Sequence, residues 1–467
     1  MESSNIKLYY QNTRGLRSKT VQFFHNVVST DYNVICLTET WLKGGVLSGE
    51  LFPGGYQVFR RDRGDAVSVK KDGGGVLVAV DSSLDASHHP ELQSTAEDVW
   101  VSIKSGDKLV YIVCAYLPPS DKSSYHSFLN NFESNQQLIS NNTVIVVGDF
   151  NLPHVGWVDS VDSPNLVPVN VGDESAEFID LFSLFGFNQF STTRNSKDRI
   201  LDLIFCNENF IDRVSKSEDP LVPEDRHHPS LEFHYKYQRY QPLRGSLKFT
   251  KNFKRADYDC INRELSSLDW VELFDGLNVD DAVSIFYDRI GKLIDKHVPT
   301  FRVNTKYLSY FRKDTIKCIK QKLYYHKKYK KFRNQSDYIN YSILRKSSKN
   351  LICRDYSTYL QSVESDILSS NNGKGFWRYM SNRRKSRMFI PKKMTLETSS
   401  ANGPREVCEL FATFFKSTFE TPKDGTVFHF RKNPKISIAV DESEVRNLLQ
   451  NIEINKSPGP TEYPQFS

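Results

Sequence analysis

No apolar run in this chain of 467 residues approaches the ~18 residues that a membrane span requires. The N-terminal stretch, MESSNIKLYYQN, has no apolar secretory core. Cysteine is sparse and scattered: Cys36, Cys114, Cys206, Cys260, Cys318, Cys353 and Cys408 are an odd seven with no CxxC spacing. That argues against zinc and fits reduced thiols in an intracellular compartment. Gly73-Gly74-Gly75 is not followed by GK[ST], so a P-loop is excluded and a bend leading into VLVAV is the role left to it. Proline and glycine are both missing from Lys306 to Ser369. Acidic residues are scarce in the same region, with 16 Lys or Arg against two Asp between Arg302 and Arg354. A local +14 inside a chain of net +6 leaves −8 for the remainder. A concentrated basic block of this kind points to an acidic polymer as partner.

What is present divides the chain in two, as its length already suggests. Up to Tyr235 strand patterns recur, with helices between some of them. The stretch TVIVVGDFN, Thr143 to Asn151, is the clearest: four apolar residues read as a strand buried on both faces. Gly148 permits a sharp turn, and Asp149 and Asn151 follow at the strand's mouth, two residues apart and so on one side. By itself this is equally an Asp-x-Asn turn. Ile6 to Gln11 and Asn33 to Thr38 read as further strands, with Asn12, Arg14 and Glu39 just past their ends. Glu39 has no Lys or Arg after it until Lys43, so it is either solvated or holding a cation. A hairpin is expected around Ser105-Gly106-Asp107, its second strand ending at Tyr116. Helices are expected over Thr20 to Ser29, Ser124 to Leu138 and Glu177 to Phe185. Arg60 to Lys71 is basic and reads as an exposed loop. In ILDLIF, Asp202 is the one polar residue of an apolar strand, which costs several kcal/mol unless it is paired. His227 or His228, in EDRHHPSLEF, is the candidate partner. Mixed hairpins and helical crossovers predict an α/β (α+β) sandwich of two packed sheets flanked by helices. Polar residues gathered at strand ends are where sheet enzymes place their sites.

In this order the segments QNTRG, LTETWL, CAYLPPS, VVGDFNLPHVGW, ILDLIF and DRHHPSL resemble the exonuclease–endonuclease–phosphatase superfamily. That superfamily includes AP endonucleases, DNase I, inositol polyphosphate phosphatases and sphingomyelinases. The resemblance covers residues 5–235 and is nearest to the endonuclease region of a jockey-like non-LTR retrotransposon. It implies a DNase I-like four-layer fold and a nicking endonuclease dependent on Mg²⁺, with Mn²⁺ as a substitute, acting on duplex DNA without a small-molecule cofactor. It also implies synthesis in the cytoplasm and action in the nucleus. By the same resemblance Asn12 orients the phosphate and the carboxylates, and Glu39 binds the metal. Tyr116 contacts the scissile phosphate, Asp149 takes a proton from the attacking water, and Asn151 stands beside it. Asp202 holds the site histidine, expected at His227 with His228 the alternative, and Asp225 is expected on the metal side. The family order is Ser-Asp-His, whereas this chain has Asp225-Arg226-His227-His228, which puts Asp225 one residue out of step. Arg14, Thr193, Arg226 and His228 are expected to contact DNA. Two other readings fit the same motifs: a phosphoesterase for inositol phosphates or sphingolipids, and a catalytically inactive nucleic-acid-binding remnant.

After Tyr235 helical spacing takes over, with two or more helices expected over Phe253 to Val298. Two long basic, Tyr-rich helices are expected to join near Asn334 to Asp337. Region 302–354 reads as an arm for nucleic-acid phosphates, RNA included, with Tyr and Arg able to stack on bases. Further helices are expected over Asn372 to Met380, Val407 to Phe419 and Val445 to Ile454. NKSPGP resembles the opening of a reverse transcriptase domain, but Thr461-Glu462-Tyr463-Pro464 departs from it and no Tyr-x-Asp-Asp motif is present. The expected organisation is an endonuclease domain over 1–236, a basic helical linker over 237–450, and a truncated reverse transcriptase start over 451–467.

Overall fold

The structure is a computed structural model. It describes residues 3–64, 73–106, 108–119, 121–160, 165–209, 211–212, 214–238, 249–302, 307–369, 373–384, 393–396, 399–418 and 441–451. Most of the basic loop after Arg63, and the NKSPGP segment, lie outside them.

In chain order the first half runs β1 (Ser3–Asn12), α1 (Thr20–Val28), β2 (Val34–Thr38), β3 (Tyr56–Arg61), β4 (Val76–Asp81), β5 (Ala86–His88), β6 (Glu97–Ser105) and β7 (Lys108–Tyr116). It continues through α2 (Lys122–Ser134), α3 (Gln136–Asn141), β8 (Thr143–Asp149), β9 (Gly156–Asp159), β10 (Leu166–Val169) and α4 (Asp173–Leu184). It closes with β11 (Asn188–Gln189), β12 (Asp202–Cys206), β13 (Ser215–Lys216) and β14 (Leu231–Gln238). One sheet has the order β13-β14-β1-β2-β4-β3, the other β5-β6-β7-β8-β12-β11-β10-β9. Both are mixed, since β1 and β2 run parallel, as do β7 and β8, inside otherwise antiparallel sheets.

Strand parity builds the core. Ile6, Leu8 and Tyr10 of β1, Val34 and Cys36 of β2, Ile112 and Cys114 of β7, Ile145 and Val147 of β8, and Ile204 of β12 meet between the sheets. The intervening residues face outward. Val144, Val146 and Phe205 pack under Phe128, Phe132, Phe178 and Phe182 of α2 and α4. Tyr9, Ile35 and Leu37 pack under Phe23 and Val27 of α1. The result is four layers, helix, sheet, sheet, helix, in agreement with the fold expected from sequence. The helix expected over Ser124 to Leu138 is two, α2 and α3, meeting at Asn135. Asp202 opens its strand rather than sitting within it. The short strands β5, β9 and β10 were not expected, because three or four residues at a sheet edge leave no alternating pattern to read.

The rest of the first compact unit, Met1–Met388, adds β15 (Phe249–Lys251), α5 (Tyr258–Ser266), α6 (Trp270–Phe274), α7 (Val279–His297), β16 (Thr300–Arg302), α8 (Lys313–Phe332), α9 (Gln335–Ser369) and α10 (Lys374–Arg384). The turn between α8 and α9 falls at Arg333, held in the left-handed region at φ 54°. Val28 of α1 packs with Phe311, Ile319 and Ile352, so the long hairpin lies on the outside of α1. The second unit, Phe389–Ser467, holds a two-stranded hairpin, β17 (Lys393–Leu396) with β18 (Ser399–Asn402), then α11 (Pro404–Thr418) and α12 (Glu442–Gln450). Among the described residues no helix is long and apolar enough to cross a membrane.

Candidate active site

The parity that fills the core also places polar side chains at one end of it. The next inward positions after Leu8 and Tyr10, Cys36, Cys114 and Val147 are Asn12, Thr38, Tyr116 and Asp149. Register brings them together: Asn12 pairs with Thr38, Tyr116 with Asp149, and Asp149 with Asp202. Side chains that obey the core's alternation thus end together at one end of the sheets.

Asn12 Nδ2 donates to Glu39 Oε1 and to Asp149 Oδ2, both at 2.9 Å, and so joins one carboxylate from each sheet. Glu39 is at φ 48° and Asn151 at φ 48°, with Arg14 and Trp41 also positive. A non-glycine residue rarely adopts that conformation, and here the backbone beyond the strand ends holds it in place. Gly15 donates to the Glu39 carbonyl at 2.8 Å, Leu16 to that of Thr40 at 2.9 Å, and Trp41 to that of Gly74 at 2.8 Å. A Cβ on Gly15 would meet the Trp41 ring at 2.7 Å, so glycine is required there. The bend expected at Gly73-Gly74-Gly75 is present, all three with positive φ.

Asp202 is buried and accepts from the Tyr10 hydroxyl at 2.9 Å. Its histidine is His228, with Nδ1 at 3.1 and 3.2 Å from the two carboxylate oxygens and 3.8 Å from Asp149 Oδ2. This corrects the expectation of His227. The chain makes a tight turn in which Asp225 C=O accepts the His228 N–H at 3.1 Å, and Asp225 Oδ1 accepts the His227 N–H at 2.8 Å. The turn sends His228 inward to burial and leaves His227 half-exposed. Asp225, expected on the metal side, is ion-paired with Arg14 at 2.9 Å. Asn151 uses its Nδ2 on the Leu117 carbonyl at 2.9 Å, and its N–H reaches Asp149 Oδ1 at 3.3 Å, so it fixes the strand exit. Thr193 is half-exposed on the loop between β11 and β12, and Arg226 is exposed. That loop is tied to the histidine turn by Ser196 N–H to Arg226 C=O at 3.0 Å and Asn195 Nδ2 to His227 C=O at 3.3 Å.

Two supporting groups gave no sequence signal. Tyr10 reads only as a strand aromatic, yet its hydroxyl links Asp202 to Thr38. Arg63 and Glu97 are both buried and paired at 2.6 Å, and the guanidinium lies 5.7 Å from the Tyr116 ring centroid. A contact between residues 34 apart in sequence cannot be read from either one.

The electrostatics follow from burial. Asp149 is pushed up to about 7 by loss of water and by the Asp202 carboxylate, against the pull of His228. For His228 burial pulls down, but the Asp202 and Asp149 carboxylates outweigh it and raise the imidazole to about 9. Burial, then Glu39 and Asp149, push the Tyr116 phenol up, so it stays protonated. Ligand atoms of Glu39, Asp149 and His228 all lie within 4.8 Å of one another. The carboxylate oxygens of Glu39 and Asp149 are hard donors that suit a divalent cation.

Residues 110–228 match the family described as endonuclease–reverse transcriptase. Those residues lie within the two-sheet half of the chain, from β7 to the turn that precedes β14. Among solved structures the chain is similar to the endonuclease domain of TRAS1, a telomere-specific non-LTR retrotransposon, at 17% identity and TM-score 0.37 over 50% of this chain and 100% of that one. It is also similar to AP endonuclease LMAP from Leishmania major at 11% identity and TM-score 0.39, over 50% and 88%. The 3′-5′ exonuclease NExo from Neisseria meningitidis matches at 14% identity and TM-score 0.36, over 50% and 100%. No curated protein matches the chain.

Proposed function

We propose that this domain is a divalent-metal-dependent DNA endonuclease that hydrolyses one phosphodiester of a duplex. The cut would leave a 5′-phosphate and a 3′-hydroxyl able to prime reverse transcription in non-LTR retrotransposition, which sets its work on nuclear DNA. The observation that carries the reading is the meeting of Asn12, Glu39, Tyr116, Asp149, Asp202 and His228 at one end of the sandwich.

Each side chain has work that its surroundings support. Asp149, with its affinity for a proton raised toward neutrality, is suited to take one from a water attacking the phosphorus. Asn12 holds Asp149 and Glu39 at a fixed separation. Asp202 fixes the proton on His228 Nδ1 and supports a charged ring, leaving Nε2 to donate to a phosphoryl oxygen as negative charge grows there. Tyr116 remains a neutral donor for a second phosphoryl oxygen. Glu39 would hold the metal, with Asp149 within reach, and the ion would supply positive charge beside the phosphoryl group and the departing oxygen. Arg14, Thr193 and Arg226 border the site on loops and suit contacts to the flanking backbone.

The test is nicking of supercoiled plasmid with Mg²⁺ or with EDTA, alongside release of phosphate from inositol phosphates. Metal-dependent conversion to open circle, with nicks that a polymerase extends, is the expected result. Equal nicking by Asp149→Asn, or turnover of the inositol phosphates alone, removes the assignment.

A further inference from the structure

The basic hairpin spends its charge on two opposite faces. On α8 one line of residues turns inward: Thr315, Cys318, Ile319, Lys322 and His326 are buried. Lys322 Nζ reaches Asp219 at 3.3 Å, while His326 and Lys330 reach Glu218 at 3.2 and 3.4 Å. These cations are consumed within the protein. At about 100° per residue, Lys313, Lys317, Lys320, Tyr324, Lys327 and Lys331 fall within about 40° of a second line on the far side of the helix. All six are exposed. The one acidic residue of α8, Asp314, is bonded to Arg354 at 2.9 Å, so no free carboxylate interrupts the lysines. Rings stand among them: Tyr324 is 61% and Phe332 62% exposed, Lys331 lies 5.0 Å from the Phe332 centroid, and Arg333 lies 5.5 Å from that of Tyr329.

We infer that this outer face of α8 is a second nucleic-acid surface, separate from the cleft, that takes a single strand. The lysines repeat three, four or seven residues apart along a helix of about 30 Å, which offers a linear track of positive charge to a chain of phosphates. The exposed rings decide between strand and duplex. A duplex presents phosphates but keeps its bases stacked on each other, whereas a single strand can lay bases on Tyr324, Phe332 and the Tyr329–Arg333 pair. The inference uses no residue of the cleft and stands apart from the nicking reading.

The test uses the full chain and fluorescein-labelled 20-nucleotide single strands, RNA and DNA of one sequence, followed by anisotropy across a salt series. In Lys317→Gln/Lys320→Gln/Lys327→Gln/Lys331→Gln, affinity should fall at least tenfold. The slope of log K against log salt should flatten by roughly three, about 0.7 for each lost phosphate contact. Arginine at the same four positions should restore both. Binding by Asp149→Asn should equal that of the wild type, which separates this surface from the catalytic assignment. If the fourfold variant melts early, Lys317→Gln and Lys327→Gln singly should each flatten the slope by about 0.7. An unchanged slope, or tighter binding of a 20-base-pair duplex than of either single strand, overturns the proposal.

Discussion

At one end of the sandwich Glu39, Asp149 and Asp202 share one imidazolium, His228. Under the helical hairpin the count is reversed, for Asp219 alone takes Lys322, Arg345 and Lys349 at 3.3, 2.7 and 3.3 Å. Both clusters centre on buried carboxylates, Asp149 and Asp202 in the first and Asp219 in the second. In the first, negative charge exceeds its partners, backbone is held at positive φ, and a carboxylate is pushed toward neutrality. In the second the carboxylate is held below its usual range, because the three cations outweigh the cost of burial. Unbalanced buried charge needs something from outside, a cation or a proton, to be satisfied. A buried carboxylate that the chain's own cations already outweigh needs only the rest of the chain. The comparison separates a site that waits for a ligand from a joint that holds two parts together.

The largest effect expected from breaking the contrast is at the first cluster. Glu39→Gln and Asp149→Asn should each lower plasmid nicking by about a thousandfold or more, since they remove transition-state groups rather than packing. Their melting temperatures should hold or rise, because each relieves like-charge repulsion; a marked fall would make the cluster structural. The histidine turn sharpens the same point. His228→Ala should cost about a hundredfold or more in kcat/KM, in keeping with loss of a charged donor, while His227→Ala should cost only a few-fold. Equal losses in the two variants would contradict the inward placement of His228.

The second cluster should respond in stability instead. Asp219→Ala leaves Lys322 buried without its partner, and urea unfolding should show a loss of about 3–5 kcal/mol. Burial already pulls the Lys322 pKa down, so the loss should shrink at high pH, where the amine becomes neutral. Nicking per folded molecule should change little.

Two smaller effects concern pH. His228 is raised to about 9 mainly through Asp202 working against burial, so kcat/KM should fall as pH rises through that region. Asp202→Asn should move this descending limb toward the ordinary histidine value of about 6.5; an unmoved limb would detach it from His228. Glu232 beneath the hairpin is held at about 2, where burial is outweighed by Lys7 and Lys330. A depressed carboxylate contributes stability that is present above its unfolded value of about 4.3 and lost as pH falls through about 2. Glu232→Gln should flatten the acid limb of a stability–pH curve measured by circular dichroism, and an unchanged limb would assign it to other groups.

The sequence exposed strands through alternation and the candidate site through polar residues at strand ends. VIVV followed by Gly148 and Asp149 shows a buried strand and its polar end in six residues. It did not expose Tyr10, Arg63 or Glu97, whose roles depend on partners far away in the chain. It pointed to His227, with His228 the alternative, where folding chose His228, because neighbouring residues in a turn differ only in direction. For the hairpin, composition showed a basic block but not its division, since Lys322 and Lys320 look alike until one is packed against Asp219.

Local chemistry therefore determined which segments become strands and helices, and which carboxylates lie at strand ends, because a period of two or of 3.6 is written in neighbouring residues. Tertiary structure decided which histidine faces Asp202, how far water is excluded from Asp149, and which lysines are consumed by the protein's own acids. Those outcomes depend on distance and dielectric between groups that only folding brings together.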